Sequence, residues 1–197
     1  MDYKAHLGKD KKLQKILSSD THVLILRKNI PVRIMNSIMS QQLSTKVAEV
    51  IFNRFIALYK NKEPKPQQVL DTPDTELRAI GLSNAKVSYV KNVASFCLVH
   101  GITDKTLVKM TNEEIIDLLV QIKGVGKWTV EMLLMFSLGR EDVFAVDDLG
   151  IQQAMCKLYN IDITDKKAMK EKMLHLSKKW SPYRTYACLH LWKWKDN

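Results

Sequence analysis

Two adjacent carboxylates, Asp147 and Asp148, close the run Asp142-Val143-Phe144-Ala145-Val146, about one helix beyond the stretch Ile122-Lys123-Gly124-Val125-Gly126-Lys127-Trp128-Thr129. A carboxylate can steady positive charge that develops on a sugar, or take a proton from an attacking water. The stretch before it does a different job. Glycines at 124 and 126 let the backbone turn sharply and leave its N–H groups uncovered at a helix start, where unpaired donors and the helix dipole favour an anion. A DNA phosphate is the natural guest. Turn and carboxylate together form an enzyme signature, provided that a rigid element holds one aspartate over the bound sugar.

The elements that must do this are helices. Leu118, Leu119 and Ile122 end one helical pattern and Val130, Leu133, Leu134 and Ser137 carry the next, so the stretch reads as helix, hairpin, helix. The same periodicity predicts helices near 31–42, 44–60, 66–71, 74–80, 83–100, 104–109, 112–122, 127–138, 147–159, 165–179 and 181–193. Residues 4–19 read as a basic helix or a mobile arm, and Val23 to Leu26 with Pro31 mark the entry to the main body. Thr72-Pro73-Asp74 and Thr111-Asn112-Glu113-Glu114 look like helix starts, and Asn61 to Gln67 is the clearest loop.

Composition agrees with a helical globule: 46% of the 197 residues are hydrophobic, with only 7 Gly and 5 Pro. Lys and Arg number 31 against 21 Asp and Glu, a formal charge of +10 that favours a polyanionic partner if the charges share a face and otherwise describes a solvated surface. Cys97, Cys156 and Cys188 stand far apart in apolar surroundings, which suggests buried thiols in a reducing compartment. No CxxC pair or clustered four-cysteine set supports a structural zinc or an iron–sulfur cluster, and the five histidines lack metal-ligand spacing. No apolar run approaches the roughly 20 residues of a membrane span, and Met1-Asp2-Tyr3-Lys4 lacks a signal-peptide core, so a soluble intracellular protein is expected.

The segment from Leu118 to Gln153 resembles the helix-hairpin-helix superfamily of DNA glycosylases (the HhH-GPD fold), in particular its monofunctional alkylbase branch, the 3-methyladenine DNA glycosylase II type. Ser37-Ile38-Met39-Ser40-Gln41-Gln42-Leu43-Ser44, Gly81-Leu82-Ser83 with Lys86 and Tyr89, and Ser181-Pro182-Tyr183-Arg184 through Trp192 match further stations of that family in order. The resemblance runs from about residue 20 to the end of the chain. A lone GxG hairpin is common among nucleic-acid proteins; four motifs in sequence are specific.

That resemblance implies an all-α fold of two helical lobes flanking a cleft: 31–146 form the central lobe with the helix-hairpin-helix, and 1–30 with 147–197 the second. It implies damaged double-stranded DNA as partner, a monomer, no cofactor, and at most a monovalent cation at the hairpin backbone near Gly124 and Gly126. The compartment would be the cytoplasm and its nucleoid in a bacterium, or the nucleus in a eukaryote. Asp148 lies 148 − 128 = 20 residues after Trp128, the interval of the alkylbase branch, and is the expected catalytic residue; Asp147, 19 residues on, suits the oxidised-guanine branch, and a helix N-cap is the alternative for either, the preferred one for Asp147. Trp128 fills the slot where bifunctional relatives carry a Schiff-base lysine, so hydrolysis without strand cleavage is implied. Trp128, Trp192 and Tyr89, with Tyr186 a further candidate, are the expected walls of a pocket for an extruded base, since an electron-rich ring attracts a cationic purine; packing is the alternative for both tryptophans.

Gly124, Val125, Gly126, Lys127 and Thr129 are expected on the DNA backbone and Gln42 as the wedge that fills the vacated stack, its alternative being a helix-end glutamine. Arg184 reads as a structural ion pair, Glu131 as a core-facing residue, and His190 as core rather than catalyst. Two rival functions stay open: a non-catalytic helix-hairpin-helix DNA-binding module, and a glycosylase with lyase activity.

Overall fold

Ser, Thr and Asp stand where the helical patterns begin, and in the computed structural model, which describes residues 2–196, they accept the orphan amides of the turns that follow. Ser44 Oγ takes the Val47 N–H, Ser83 Oγ the Lys86 N–H, and Asp165 Oδ1 the amides of Lys167 and Ala168. Thr111 and Glu114 form a reciprocal capping box, with Thr111 N–H donating to Glu114 Oε2 at 2.7 Å and Glu114 N–H to Thr111 Oγ1 at 3.2 Å. Among the described residues there are thirteen α-helices and a short 3-10 turn, and no strand. None of these helices is long and apolar enough to cross a membrane.

The chain divides into two compact units, Leu26–Leu133, and residues up to Ile25 together with those from Leu134 onward. In chain order the helices are α1 (Tyr3–Leu7), α2 (Lys11–Gln14), α3 (Ile30–Ser40), α4 (Thr45–Ala57), α5 (Pro66–Asp71), α6 (Asp74–Ala79), α7 (Asn84–Val99), α8 (Asp104–Val108), α9 (Asn112–Leu119), α10 (Lys127–Phe136), α11 (Leu149–Tyr159), α12 (Lys166–Ser177) and α13 (Arg184–Asp196).

In the Leu26–Leu133 unit, α3 buries Ile30, Ile34, Met35, Ile38 and Met39 against α4 and α7, and α5 packs along α7. Asp104 ties the start of α3 to α8, its two oxygens accepting the amides of Asn29 and Ile30, each at 2.8 Å. The other unit buries Trp180 fully, beside the rings of Phe144 and Tyr159, along with Leu13, Met155, Met173 and Leu191, and α11 packs on α13.

Several boundaries depart from expectation for local reasons. α3 stops at Ser40 because Gln42 is left-handed (φ 60), and α4 stops at Ala57 ahead of the left-handed Lys60 and Asn61. The last helix starts at Arg184 rather than 181: Pro182 has no N–H to give, and a turn closes there between Tyr183 N–H and Trp180 O. Residues 134–146, which the sequence assigns to the central lobe, group with the chain ends, since Arg140, Glu141 and Val143 are hydrogen bonded to Thr185 on α13.

The basic segment 4–19 is not an arm. It holds α1 and α2, with Leu7 and Leu13 buried, and Asp10 caps α2 from inside the unit. Asp10 Oδ2 accepts from Tyr159 Oη at 2.5 Å, Lys179 Nζ at 2.8 Å and Trp180 Nε1 at 3.0 Å. Burial works against ionisation of Asp10, but the bonds from Lys179, Tyr159, Trp180 and the Leu13 amide outweigh it and hold the carboxyl at about 2. Its folded value lies below the unfolded one near 3.8, so the stability it adds is complete above pH 4 and drains away between pH 4 and pH 2. Asp10→Asn should therefore cost about 2 kcal/mol at pH 7, measured by denaturant unfolding, with the gap from wild type closing as the pH falls toward 2.

Candidate active site

Asp148 sits at the end of a non-helical strap, residues 139–148, that α13 holds in place. Thr185 does most of the stitching: its amide donates to Glu141 O at 2.9 Å, its hydroxyl donates to Arg140 O at 2.6 Å and accepts from Val143 N–H at 3.1 Å. Arg184 clamps Asp142 with Nε to Oδ1 at 2.6 Å and a terminal nitrogen to Oδ2 at 3.0 Å, while Ser181 Oγ donates to Oδ2 at 2.7 Å. Burial opposes the Asp142 charge, and the Arg184 and Ser181 bonds more than offset it, leaving the carboxyl below its usual range. Arg184 is thus the structural ion pair expected, in the bidentate geometry that gives such pairs their strength. Further along, Val146 O accepts from Gln152 Nε2 at 2.9 Å and Asp148 N–H turns back to Ala145 O at 3.1 Å.

The strap delivers Asp148 as the N-cap of α11, and its Oδ1 accepts the Ile151 amide at 2.9 Å and the Trp192 indole N–H at 2.8 Å. Of the two aspartates for which a helix N-cap is the alternative, it is Asp148 that caps, where the sequence reading prefers Asp147. Asp147 turns outward to Lys170, Oδ1 to Nζ at 2.6 Å. Trp192 lies against Phe136, ring centroids 5.9 Å apart. Gly150 makes the indole's approach possible: a Cβ there would stand 3.0 Å from Trp192 Cδ1 and 3.1 Å from Asp148 Oδ1. Sequence reasoning missed Gly150; its signal was a glycine in the first turn of a helix, a position that costs helix stability unless something needs the space.

The hairpin lies in the other unit. Gly124 has φ +101, and a Cβ on it would fall 2.3 Å from Cγ of Tyr89, so both the turn and the Tyr89 ring demand glycine. Gly126 faces open space, with nothing within 4 Å of where its Cβ would be. At the start of α10 Val130 N–H donates to Gly126 O at 3.2 Å. Val125 is buried, leaving only its backbone for a phosphate. Thr129 is 3% exposed and its hydroxyl is within 3.5 Å of Gln41 Nε2, so its side chain braces the hairpin from inside. Lys127 is exposed, and Glu131 is buried as expected, 3.8 Å from Lys127 Nζ.

Beside the hairpin, Ser37, Ser40, Gln41, Gln42, Leu43 and Trp128 line a cavity of about 410 Å³. The structure thereby brings together the expected wedge, Gln42, and the expected stacking residue, Trp128, which is 38% exposed. Lys86 shapes this loop, its ammonium donating to Met39 O at 2.9 Å and Gln41 O at 2.8 Å at the carbonyl end of α3, where a cation is favoured; partial burial lowers its pKa. Tyr89 packs on the hairpin and is not among the residues lining this cavity. Tyr186 is buried, stacked on Tyr3 and bonded to Glu141, so it walls no pocket. His190 is a core residue: Nδ1 accepts from Ser18 N–H at 3.2 Å, and burial, with help from His22 and Lys4, pushes its pKa down to about 4.

Residues 35–182 match the HhH-GPD superfamily of base excision DNA repair proteins, and the chain belongs to that family. It is 39% identical over 163 residues to DNA-3-methyladenine glycosylase 1 of Schizosaccharomyces pombe, covering 81% of this chain and 70% of that protein. Among solved structures it is similar to the S. pombe 3-methyladenine DNA glycosylase in complex with abasic DNA, with a TM-score of 0.85 and 33% identity over 100% of this chain and 98% of that one. A DNA-3-methyladenine glycosidase from Bacillus halodurans gives a TM-score of 0.83 and 34% identity over 99% and 89%.

The two hairpin glycines should separate in a stability measurement. Gly124→Ala is expected to cost about 2 kcal/mol or more, from the left-handed backbone and the Tyr89 overlap together, whereas Gly126→Ala should stay within about 0.5 kcal/mol of wild type; equal denaturation midpoints for the two variants would contradict this account of the turn.

Proposed function

We propose that this chain is a monofunctional DNA glycosylase that flips alkylated purines, 3-methyladenine and 7-methylguanine foremost, out of duplex DNA and removes them by hydrolysis. The observation that carries the reading is the Asp148 carboxylate, fixed by Ile151 and Trp192 at the start of α11, in a chain so similar to proteins named as 3-methyladenine glycosylases.

Alkylation at N3 or N7 makes the purine cationic and therefore a good leaving group. When the bond from C1′ to the purine breaks, its electron pair goes to the base, which leaves neutral, and positive charge passes to the sugar. Asp148 is the negative group that steadies this charge, its Oδ1 fixed by the Ile151 amide and the Trp192 indole. Water then forms the new C1′–O bond and gives up a proton, with the same carboxylate as base. Trp128 has no amine, so no Schiff base forms and the strand stays intact.

Its exposed ring offers a face to the cationic purine. Gln42 on its left-handed turn fills the stack that the base leaves, and its amide can hydrogen-bond the orphaned partner base. The amides of the first α10 turn, with Gly126 and Lys127, take the phosphate backbone. A monovalent cation at the hairpin would have to use carbonyls such as Ile122 O and Lys123 O, which already accept from Val125 N–H and Asn92 Nδ2 but keep a second lone pair each; such neutral donors suit a weakly held single charge. The protein would act wherever the genome lies, on the nucleoid or in the nucleus.

Asp148→Asn should lower single-turnover base release from alkylated duplex by about 10²-fold or more while duplex binding persists. Binding with unchanged release would take Asp148 out of the chemistry, and no release from the wild type would leave a DNA-binding module. Borohydride with abasic DNA should trap no covalent adduct. Gly150→Ala and Trp192→Phe, which disturb the indole that orients Asp148, should each lower the rate of release without changing duplex affinity; equal loss of affinity would mean that Trp192 serves the bound base rather than the carboxylate.

A further inference from the structure

A second charged feature lies at the far end of α11. Lys9, Lys11, Lys12, Lys172 and Lys179 surround a cavity of about 440 Å³ floored by Asp10 and Tyr159. Five lysines against one aspartate leave 5 − 1 = +4 in one small space. The aspartate is already held by Lys179, Tyr159 and Trp180, and Lys12 and Lys179 lie over the Tyr159 ring, at 5.5 and 5.6 Å from its centroid. Among the described residues no salt bridge engages Lys9, Lys11, Lys12 or Lys172, and Asp162 feels Lys172 at longer range. Like charges so gathered repel one another, a cost that an anionic ligand offsets.

Asp148 caps the start of α11 and Tyr159 ends it, about 15 Å along the axis, so one helix length separates this cavity from the reacting carboxylate. Its cations are all lysines, compact point charges without the planar fork that arginine offers a carboxylate, and Leu176 is its one aliphatic lining residue, so it holds little for the side chains of a peptide. We propose that this cavity is a second, sequence-blind contact for the phosphodiester backbone of duplex DNA, used to hold a further DNA segment while the hairpin engages the first. The inference rests on the glycosylase reading for its choice of polyanion. A protein with two such contacts can pass directly from one segment to another during its search.

The test uses the full chain and a short lesion-free duplex. Wild type should bind a second duplex in a weaker step that fades with salt at about −0.9 in log–log slope per phosphate engaged, and its release from a labelled duplex should quicken as unlabelled duplex is added. The triple variant Lys9→Gln, Lys11→Gln, Lys172→Gln should lose both behaviours while keeping its melting temperature and its base release from a short lesion duplex. A single binding step in wild type, or a second step that the variant retains, overturns the proposal. So does either of two competitors: polyglutamate outcompeting duplex for the second step would make the ligand an acidic protein, and tripolyphosphate binding that the variant loses, with no second duplex step, would make it a small free anion. Absent base release with an intact second step would count against the glycosylase reading alone.

Discussion

One oxygen, Oδ1 of Asp148, accepts both the Ile151 amide and the Trp192 indole. Hydrogen bonds to an ionised acceptor are among the stronger ones available to a protein, and this pair points in from two different helices, α11 and α13. The spacing of those helices is therefore tied to the direction of one carboxylate. Gly150 lets the indole come close enough, and the strap carrying the aspartate is sewn to the first turn of α13 through Thr185 and Arg184. Capping and the chemistry proposed for Asp148, which look like competing explanations for an aspartate ahead of a helix, are compatible: the cap bond fixes the direction of the carboxylate.

A buried carboxylate, Asp10, does equivalent work for the scaffold. Asp10 would be costly in the core if it were unpaired, yet it gathers a phenol, an indole and an ammonium from α11 and from the segment after α12. This fastens α2 against α11, so residues far from Asp148 in sequence help to keep its helix in place.

What could be read in the sequence was whatever is local. Periodicity found the helices, the Thr111–Glu114 box marked the start of α9, and the two glycines marked the hairpin. The helix ends at 40, 57 and 184 were misplaced because left-handed residues and a proline stop a helix where the hydrophobic pattern still runs on. The site was legible in part. Asp148 and Trp192 were singled out, but their hydrogen bond spans 44 positions and leaves no linear mark. Thr129 looked like a phosphate ligand because it follows the turn, and only the packing of Gln41 against it shows that its hydroxyl points inward. The partners of Gly124 and Gly150, Tyr89 and Trp192, were equally out of reach, since a glycine shows that space is needed and not what fills it.

The cysteines carry a last consequence. Cys97 and Cys188 are buried, Cys156 partly so, and burial pushes the Cys97 thiol up to about 12 and raises that of Cys156. The thiolate is the form that attacks electrophiles, and burial disfavours it in Cys97 and Cys156. A cell exposed to methylating agents damages its proteins along with its DNA. Burial thus makes Cys97 and Cys156 poor nucleophiles toward such electrophiles.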